Sequence, residues 1–536
     1  MSQYYSFDCG CKFKISGYDD NNKPKIEFTG NLSELNFDCY KTWDLISDGN
    51  TKGVFQLESR LGSSMSKKLK PQNIEQLSAL ISIMRPGSLE AYREGKSVSN
   101  HFIDKKNGQE SLDYFHPALE PSLKTTYGEM IYQEQAMQIV QAIAGFDLQE
   151  ADMLRKAIGK KKPEEMAKIK IKFKEGANKL KIVNEQEAEE IFGWIEKSQR
   201  YSFNKSHAVS YAMNAYVSAY AKAHFARIFF ASYLKFAKDK MDPQKEIKEL
   251  IRNATEMDIT VCVPDFRKQN RNFIIDKEKI YFGLTDIKGV GDSVFDKITE
   301  ILSTVDLYAI SWYELLIKFM TKFNSTAVKA LISCGALDYY SISRTQMLFD
   351  YDIISSLTDR ELLLITNYEM SIPKLLEGLL LQKINIKRQK AIGDLINLYR
   401  NPPYSLTDKI EWLSDSENSL LGASITCFKL DTYDISMTNC DCKSFKKTNL
   451  NKNIILAGEI SNINFVKTKK GKNIGSEMAF VTIEDQYASL DSVIFFPEQL
   501  SKYRNYLFDN NILIFLGNKS NQKDSFVVEK CFIPRS

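Results

Sequence analysis

The 536-residue sequence has only four histidines, and no two of them have the spacing of a metal-binding pair. Its nine cysteines are an odd number scattered along a large chain, which favours reduced thiols in a cytosolic compartment over a disulfide framework. Two Cys-x-Cys pairs are present, but their gap is shorter than zinc ribbons usually have. They are Cys9/Cys11 and Cys440/Cys442. We therefore predict no metal ligands in this chain.

Long apolar runs are also absent, since none reaches the roughly 18–20 residues that span a bilayer. The N-terminus, Met-Ser-Gln-Tyr-Tyr, lacks the basic and apolar regions of a secretory signal. No internal repeat of about 20–50 residues is visible, which argues against a solenoid. Hydrophobic residues make up 43% and charged residues 26% of the chain, as is usual for a globular protein. We expect several domains, a cytoplasmic location and no membrane contact.

The predicted fold is multidomain and mainly α, with a C-terminal five-stranded β-barrel. Short strands are predicted at 4–13 and 25–28, followed by a short helix at 42–46. Apolar periodicity then predicts helices through most of residues 56–380, with turn-rich breaks and a few short strands after residue 261. From residue 454 the pattern alternates, and five strand candidates suit a small barrel of the oligonucleotide-binding kind. These candidates are 454–464, 478–485, 490–496, 512–517 and 526–531.

Two cationic helix ends point to a polyanion. Asn204 or Ser206 can cap a long apolar helix beside Lys205 and His207, and such a start offers free N–H groups to an anion. Upstream, residues 155–181 carry eleven Lys/Arg against three Glu, which favours polyanions. A solvated helix face, with lysines 160–162 near the negative end of a helix, is the alternative. Taken as a pair, the segments predict a polyphosphate held between helices.

Two further segments are candidates for contact with nucleic acid. Ile-Lys-Gly-Val-Gly at 287–291 is typical of the hairpin in a helix-hairpin-helix unit, with a simple interhelical turn as the alternative. Gly289 and Gly291 would leave N–H groups open to a phosphate, and Lys288 adds charge. Such units bind duplex backbones without reading bases. The loop after the first barrel strand carries the other candidates for DNA binding: Lys467, Lys469 and Lys470.

Catalytic carboxylates are not evident in the sequence. Two-metal phosphoryl transfer needs two or three Asp or Glu side chains at one site. The pair Asp19/Asp20 lies in a turn-rich segment where Asp is a good turn former. The pair Asp350/Asp352 follows a helical segment, with nothing to indicate a strand. We therefore predict no catalytic residues and assign neither pair to a metal.

Eight segments, in a fixed order over about residues 35–345, resemble the alpha subunit of bacterial DNA polymerase III, the C-family replicative polymerase. Several are long and specific, such as Gly-Val-Phe-Gln-Leu-Glu-Ser at 53–59 and Phe-Asn-Lys-Ser-His-Ala at 203–208. The others are at 85–87, 127–128, 132–135, 151–161, 222–224 and 287–291. The barrel at 451–536 matches by pattern only.

The resemblance implies a domain order and a nucleotide site. The expected domains are an N-terminal hairpin and helix at 1–52, polymerase fingers at 53–262, a helix-hairpin-helix region at 263–380, a connector at 381–450 and the barrel at 451–536. In the family, the basic helix and the Phe-Asn-Lys-Ser-His motif contact the triphosphate of the incoming nucleotide. Carried over, the nucleotide-binding candidates are Arg155, Lys160, Lys161, Asn204, Lys205, Ser206 and His207.

The chain departs from the family upstream of the fingers. Family members carry a phosphoesterase-like domain and a palm with three catalytic Asp residues there, and this chain matches neither. Because it begins with Met and has its own hairpin, we expect a split polymerase subunit that is inactive alone. A second polypeptide would supply the palm, and Mg²⁺ would be held mainly by that palm and the nucleotide. The alternative is a non-catalytic DNA-binding accessory protein derived from a polymerase.

The expected partners are primer–template DNA, deoxynucleoside triphosphates and a palm-bearing polymerase chain. A sliding clamp is a further candidate, because Gln-Met-Leu-Phe at 346–349 resembles a clamp-binding peptide. That segment lies within helical periodicity, which favours a core role instead. The expected setting is a bacterial cell, with a bacterial or a viral gene.

Overall fold

A computed structural model describes residues 4–19, 22–160, 163–198, 201–368, 370–447, 453–468, 474–520 and 525–535. The chain forms two compact units, residues 1–226 and residues 227–536, which are described separately. The mainly helical fold with a C-terminal barrel is confirmed. Among the described helices, none combines the length and apolar character needed to cross a bilayer.

The first unit opens with a small antiparallel sheet of strands β1 (Tyr4–Ser6), β2 (Lys12–Tyr18) and β3 (Pro24–Glu27), in the order β1-β2-β3. The prediction of a single strand at 4–13 was wrong. A tight turn divides it, because Gly10 adopts a positive φ of 79° and its N–H donates to the Phe7 carbonyl at 2.9 Å. The turn after β2 is built on Asp19, whose side chain accepts the Lys23 N–H at 2.8 Å.

Helices make up the body of this unit, with one short hairpin of β4 (Tyr92–Arg93) and β5 (Lys96–Ser97). The helices are α1 (Tyr40–Ser47), α2 (Arg60–Leu69), α3 (Ile74–Ile83), α4 (Pro86–Glu90), α5 (Val98–Lys106), α6 (Glu120–Leu123), α7 (Gln133–Ala144), α8 (Leu148–Lys160), α9 (Pro163–Leu180), α10 (Glu185–Ser198) and α11 (Lys205–His224). Apolar faces of α7 to α10 enclose one core that includes Ile139, Leu154, Phe173 and Phe192. Helix α11 packs against α3 and α1.

The second unit begins with helices α12 (Ala226–Ala237) and α13 (Pro243–Glu256) and a small sheet in the order β6-β8-β7. Its strands are β6 (Val261–Cys262), β7 (Ile274–Asp276) and β8 (Lys279–Tyr281). The later helices are α14 (Asp292–Leu302), α15 (Trp312–Lys318), α16 (Ser325–Ser333), α17 (Arg344–Ile354), α18 (Asp359–Leu363), α19 (Ile372–Leu380), α20 (Ile386–Arg400), α21 (Ile410–Leu421) and α22 (Cys442–Lys447). The stretch predicted as a connector at 381–450 thus contains regular helices.

The second unit ends in a closed five-stranded barrel in the order β10-β11-β13-β12-β9, with the short helix α23 (Pro497–Tyr503) between β11 and β12. The strands are β9 (Ile454–Lys467), β10 (Glu477–Glu484), β11 (Ser489–Phe495), β12 (Ile512–Lys519) and β13 (Phe526–Phe532). Alternate apolar side chains fill its interior, as the period-two pattern predicts. All five predicted strands are present.

A buried ion network fastens α17 to α21. The Arg344 guanidinium donates to Glu417 Oε1 at 2.9 Å and to Asp338 Oδ2 at 2.7 Å. Its side chain is 3% exposed and that of Glu417 is 0% exposed. Glu417 Oε2 also accepts the backbone N–H groups of Ile425 and Thr426. Every charge in the network is therefore paired, which buried ions require.

Replacing Arg344 with Ala should destabilise the contact between α17 and α21 by about 3–5 kcal/mol, because it leaves the Glu417 carboxylate buried and unpaired. Hydrogen exchange followed by mass spectrometry on the full chain measures the opening free energy of both helices. The control is Arg400→Ala, which removes an exposed ion pair with Glu377 and should cost at most about 1 kcal/mol. Equal protection in the two variants would contradict the prediction.

Asp286 is a partly buried carboxylate of this unit, at the end of a 3₁₀ turn (Leu284–Asp286) just before residues 287–291. Its Oδ2 accepts the Gly283 N–H at 3.1 Å. Burial raises the pKa of Asp286 from 3.8 to about 6, although that N–H opposes the rise. The folded state therefore holds this proton at a pH where the unfolded chain has lost it. Stability contributed by Asp286 falls as pH rises from about 4 to about 6.

We expect Asp286→Asn to stabilise the second unit above pH 6 by about 1–2 kcal/mol, since the amide removes a partly buried charge that solvent screens in part. Below about pH 4 the variant and the parent should be equally stable, because both side chains are then neutral. Urea unfolding across this pH range measures the difference. Asp296→Asn, at a largely exposed carboxylate, is the matched control and should show no such pH dependence. An Asp286→Asn difference that does not change with pH would contradict the assignment.

Candidate functional site

The start of α11 is the centre of the candidate site. Asn204 is its N-cap, and the Asn204 Oδ1 accepts the His207 N–H at 2.8 Å and the Ser206 hydroxyl at 2.7 Å. Of the two caps that the sequence allowed, the structure therefore has Asn204. Ser206 and His207 are exposed, whereas Asn204 and Lys205 are partly buried.

An internal carboxylate lies at this helix start, which the sequence did not predict. Glu134, in the first turn of α7, accepts the Lys205 backbone N–H at 2.9 Å with one oxygen and the Asn204 side-chain amide at 2.9 Å with the other. The Lys205 ammonium lies 3.1 Å from Glu75 Oε1. The expected set of free N–H groups is thus partly taken up by Glu134 and Asn204. A carboxylate at a helix N-terminus is favourable for the same reason as a phosphate.

Aromatic rings and a second cation border the helix start. The His207 ring lies 4.1 Å from the Tyr211 ring and 5.4 Å from the Phe203 ring, measured between centroids. The Arg85 guanidinium stacks over Phe203 at 3.8 Å from the ring centroid. Arg85 is exposed and precedes α4 as its N-cap residue. Arg85 belongs to the matched segment 85–87, but the sequence did not predict that its side chain lies at this site.

A hydrogen-bonded frame fixes the chain that precedes α7. The Gln135 side-chain oxygen accepts the N–H groups of Ile131 and Tyr132, both at 2.9 Å, and its amide donates to Thr126 Oγ1. The Phe203 N–H donates to the Ile131 carbonyl at 2.9 Å. Segments 131–135 and 203–205 are therefore held side by side.

A buried ion pair and a buried phenol lie beside this frame. Glu129 is buried and pairs with Arg93 at 2.6 Å and with Lys105 at 3.0 Å. Burial, and then the nearby negative charge of Glu75, raise the pKa of the Tyr132 phenol well above its usual range. Tyr132 is therefore neutral at physiological pH and faces the Lys205 ammonium, which lies 5.6 Å from its ring centroid.

The predicted basic helix is present as α8. Two of its cations, Arg155 and Lys156, are paired with a carboxylate of the same helix. The Arg155 side chain pairs with Asp152 on the same helix at 2.8 Å. Lys156 pairs with the same carboxylate, and these two cations lower the pKa of Asp152. Lys160 is the last residue of α8, and Lys161 lies outside the described residues. Helix α8 packs against α7, the helix that carries Glu134.

The helix-hairpin-helix segment in the second unit has the predicted local form. Lys288, Gly289 and Gly291 are exposed, and Gly291 is the N-cap of α14. Gly289 has a φ of 100°, which favours glycine. The Lys288 N–H donates to the Leu420 carbonyl at 3.0 Å, so this N–H is already paired, whereas its side chain is exposed.

In the barrel, Lys467 is exposed at the end of β9. Lys469 and Lys470 lie outside the described residues. Phe465 lies on the same strand, and the guanidinium of Arg504, which directly follows α23, stacks over its ring at 4.9 Å from the centroid. An exposed aromatic ring beside cations is a common feature of surfaces that bind single strands.

Of the candidate carboxylates, Asp350 and Asp352 have structural roles. Asp350 is buried and accepts hydrogen bonds from Trp312 Nε1 at 2.9 Å, from Gln346 and from the Tyr399 hydroxyl. Asp352 pairs with Lys329 at 2.8 Å. Asp20 lies outside the described residues. Within the described ranges, the one group of three or more potential metal ligands that converges consists of cysteines and a histidine, not of carboxylates.

The segment at 346–349 is part of α17 rather than an extended peptide. Met347 and Phe349 are both buried in this unit, and Gln346 donates to Asp350. This placement agrees with the core role and gives no support to clamp binding through this segment.

Comparison with known proteins extends the motif evidence to nearly the whole chain. A family model for the bacterial DNA polymerase III alpha subunit finger domain matches residues 17–181, and one for the helix-hairpin-helix motif matches residues 258–347. DNA polymerase III subunit alpha of Aquifex aeolicus is 31% identical over 516 residues, which cover 94% of this chain and 40% of that protein. The proteins of that name from Staphylococcus aureus and Escherichia coli K12 are each 30% identical, with 42% and 41% of their lengths covered.

The chain therefore spans about two fifths of the length of these relatives. It is similar to the fingers-to-barrel part of the bacterial DNA polymerase III alpha subunit.

Proposed function

We propose that this chain is the nucleotide- and DNA-binding part of a template-directed DNA polymerase. The observation that carries the proposal is the start of α11, where Asn204 caps the helix and Lys205, Arg85 and His207 gather beside it. In this proposal the triphosphate of an incoming deoxynucleotide lies against these groups. Arg155 of α8 would add positive charge, and Lys160 and Lys161 remain candidates from their place in the sequence alone.

The charge arrangement suggests how the site exchanges one anion for another. Without nucleotide, Glu75 neutralises the Lys205 ammonium at 3.1 Å. Lys205 is one third exposed, so a phosphate can replace Glu75 as its partner without unfolding of the helix start. A cation positioned in advance also stabilises the charge that develops during phosphoryl transfer.

The second unit supplies the proposed contacts with DNA. The exposed hairpin at Lys288, Gly289 and Gly291 would hold the duplex backbone, and the Lys467 end of the barrel would hold the single-stranded template. These contacts involve phosphates and base faces, so they are independent of sequence, as replication requires.

The carboxylates for catalysis are proposed to come from a second, palm-bearing polypeptide. Mg²⁺ requires oxygen ligands, and no group of three or more carboxylates converges within the described part of the chain. We therefore assign no magnesium ligand to this chain. Mg²⁺ would accompany the nucleotide and be held by the palm, and the residues described here would bind and orient the phosphates.

A second candidate function is supported by one observation. Glu134 and Glu75 already satisfy the Lys205 backbone N–H and the Lys205 ammonium. A DNA-binding accessory protein that had lost nucleotide binding would keep this arrangement as a structural contact. The two functions differ in whether Lys205 binds a triphosphate.

Lys205→Ala is expected to weaken deoxynucleotide binding by roughly ten- to a hundredfold, the usual effect of losing a charged hydrogen-bond donor. Equilibrium binding of a fluorescent deoxynucleoside triphosphate to the full chain measures the affinity. The control is Lys96→Ala, which removes an ammonium of the same 33% exposure that is also paired with carboxylates. Unchanged affinity in Lys205→Ala would favour the accessory function.

Glu75→Gln separates nucleotide binding from a merely structural ion pair. If Lys205 binds phosphate, removing its competing carboxylate should strengthen nucleotide binding by about two- to fivefold, as expected for an exposed pair. If the Lys205–Glu75 pair only stabilises the fold, Glu75→Gln and Lys205→Ala should change affinity in the same direction. Opposite directions in the two variants support the proposed site.

Primer extension tests the division of the polymerase between two polypeptides. We expect no extension by this chain alone and extension when a palm-bearing chain from the same source is added. Adding Lys205→Ala in place of the parent chain should reduce the extension rate in that mixture. Extension by the chain alone would refute the two-polypeptide proposal, and DNA binding without extension in every mixture would favour the accessory function.

A further inference from the structure

Three cysteines and one histidine that are far apart in sequence converge in the first unit. They are Cys9, Cys11, Cys39 and His224, and their potential ligand atoms all lie within 4.8 Å of one another. His224 Nε2 is 3.3 Å from Cys39 Sγ and 3.9 Å from Cys9 Sγ. A tetrahedral zinc ion, with Zn–S of about 2.3 Å and Zn–N of about 2.0–2.1 Å, places its ligand atoms roughly 3.5–3.8 Å apart. The observed spacing is therefore close to that of a single bound ion.

Three structural elements bring these side chains together. Cys9 and Cys11 flank Gly10 in the turn between β1 and β2, and Cys39 is the N-cap residue of α1. His224 is the last residue of α11. The positive φ of Gly10 reverses the chain between Cys9 and Cys11, so a one-residue gap is sufficient for both sulfurs to reach the cluster.

The surroundings are apolar and aromatic. Phe7, Phe13 and Tyr220 have ring centroids 5.1, 5.3 and 4.5 Å from that of His224. Cys11 and Cys39 are buried, and the Asn36 side-chain amide is 3.8 Å from Cys11 Sγ. An apolar shell of this kind limits solvent access, and an amide near a sulfur is a common outer contact of a bound thiolate.

We propose that Cys9, Cys11, Cys39 and His224 bind one Zn²⁺ in a closed Cys₃His site. Thiolate sulfurs with one imidazole in a tetrahedral arrangement select zinc over the hard cations, which prefer oxygen. An iron–sulfur cluster would spread its ligands over several iron atoms and so keep them further apart. Four protein ligands leave no open coordination position, which makes the site structural rather than catalytic. Each thiol gives up its proton to the solvent when its sulfur binds the ion.

The ion would fasten the N-terminal sheet and α1 to the C-terminal end of α11. Helix α11 has 20 residues and a length of about 30 Å, so the zinc lies far from the nucleotide-binding candidates at its other end. The proposal concerns the assembly of the first unit and does not depend on the proposed polymerase function. It revises the prediction that this chain has no metal ligands, because that prediction considered only spacing along the sequence.

Metal analysis of the full chain, purified under reducing conditions without chelators, tests the proposal. We expect close to one zinc ion per chain, and loss of most of that zinc in Cys39→Ser. The matched control is Cys440→Ser, which alters the other Cys-x-Cys pair and should leave the zinc content unchanged. Absence of zinc from the parent chain, even after incubation with Zn²⁺ and a reductant, would overturn the proposal, as would equal loss in the control.

Cobalt substitution of the parent chain keeps the test independent of whether a variant folds. Co²⁺ added to the reduced, metal-free chain should give the visible absorption of a tetrahedral ion and the ultraviolet charge-transfer band of cobalt–thiolate bonds. Zn²⁺ should then displace both signals. Binding should also slow hydrogen exchange in residues 4–47. Mass spectrometry showing a disulfide among Cys9, Cys11 and Cys39 in the freshly isolated chain, or an octahedral cobalt spectrum, would refute the site.

Discussion

The carboxylate of Glu134 sets the position of the α11 helix start, on which the rest of the candidate site depends. It accepts from both the Asn204 amide and the Lys205 N–H, so it links the first turn of α7 to the first turn of α11. The same α7 packs against α8, which carries Arg155. Glu134 thus helps to fix the position of Lys205 on α11 relative to Arg155 on α8, the two cations proposed to bind a polyphosphate. Without it, the positive ends of two helix dipoles would face each other unscreened.

Local patterns in the sequence were sufficient for much of the fold. Alternation in the last 80 or so residues predicted all five barrel strands, because a closed barrel imposes period two on every strand. Asn204 was a predicted helix cap, since capping depends only on neighbouring residues. The break at Gly10 was missed because the preference of one glycine for positive φ is weaker evidence than the apolar pattern around it.

Contacts between residues that are distant in sequence could not be predicted from such patterns. Neither the Glu75–Lys205 pair nor the convergence of Cys9 and Cys39 on His224 leaves a periodic trace in the sequence. The same holds for Arg344 and Glu417, which form a buried pair although 73 residues separate them. Family resemblance assigned a role to Lys205, whereas Glu134 appeared only as one letter of the matched segment 132–135 and Glu75 lay outside the matched segments. A motif identifies the residues that meet a ligand more readily than those that hold these residues in place.

Helix α11 is held at both ends, which explains how it can present a charged first turn. Its Lys222 ammonium is buried and donates to the carbonyls of Asn50 and Lys52 at 2.9 and 2.7 Å. This contact ties the helix to the chain just after α1, close in sequence to Cys39. The proposed zinc would bind His224, which lies within one turn of Lys222 at the same end of α11. Lys222, together with the proposed zinc, therefore acts on one end of the helix, and Glu134 acts on the other. The proposed exchange of Glu75 for a phosphate would depend on this rigidity, since only the side chain of Lys205 would then have to move.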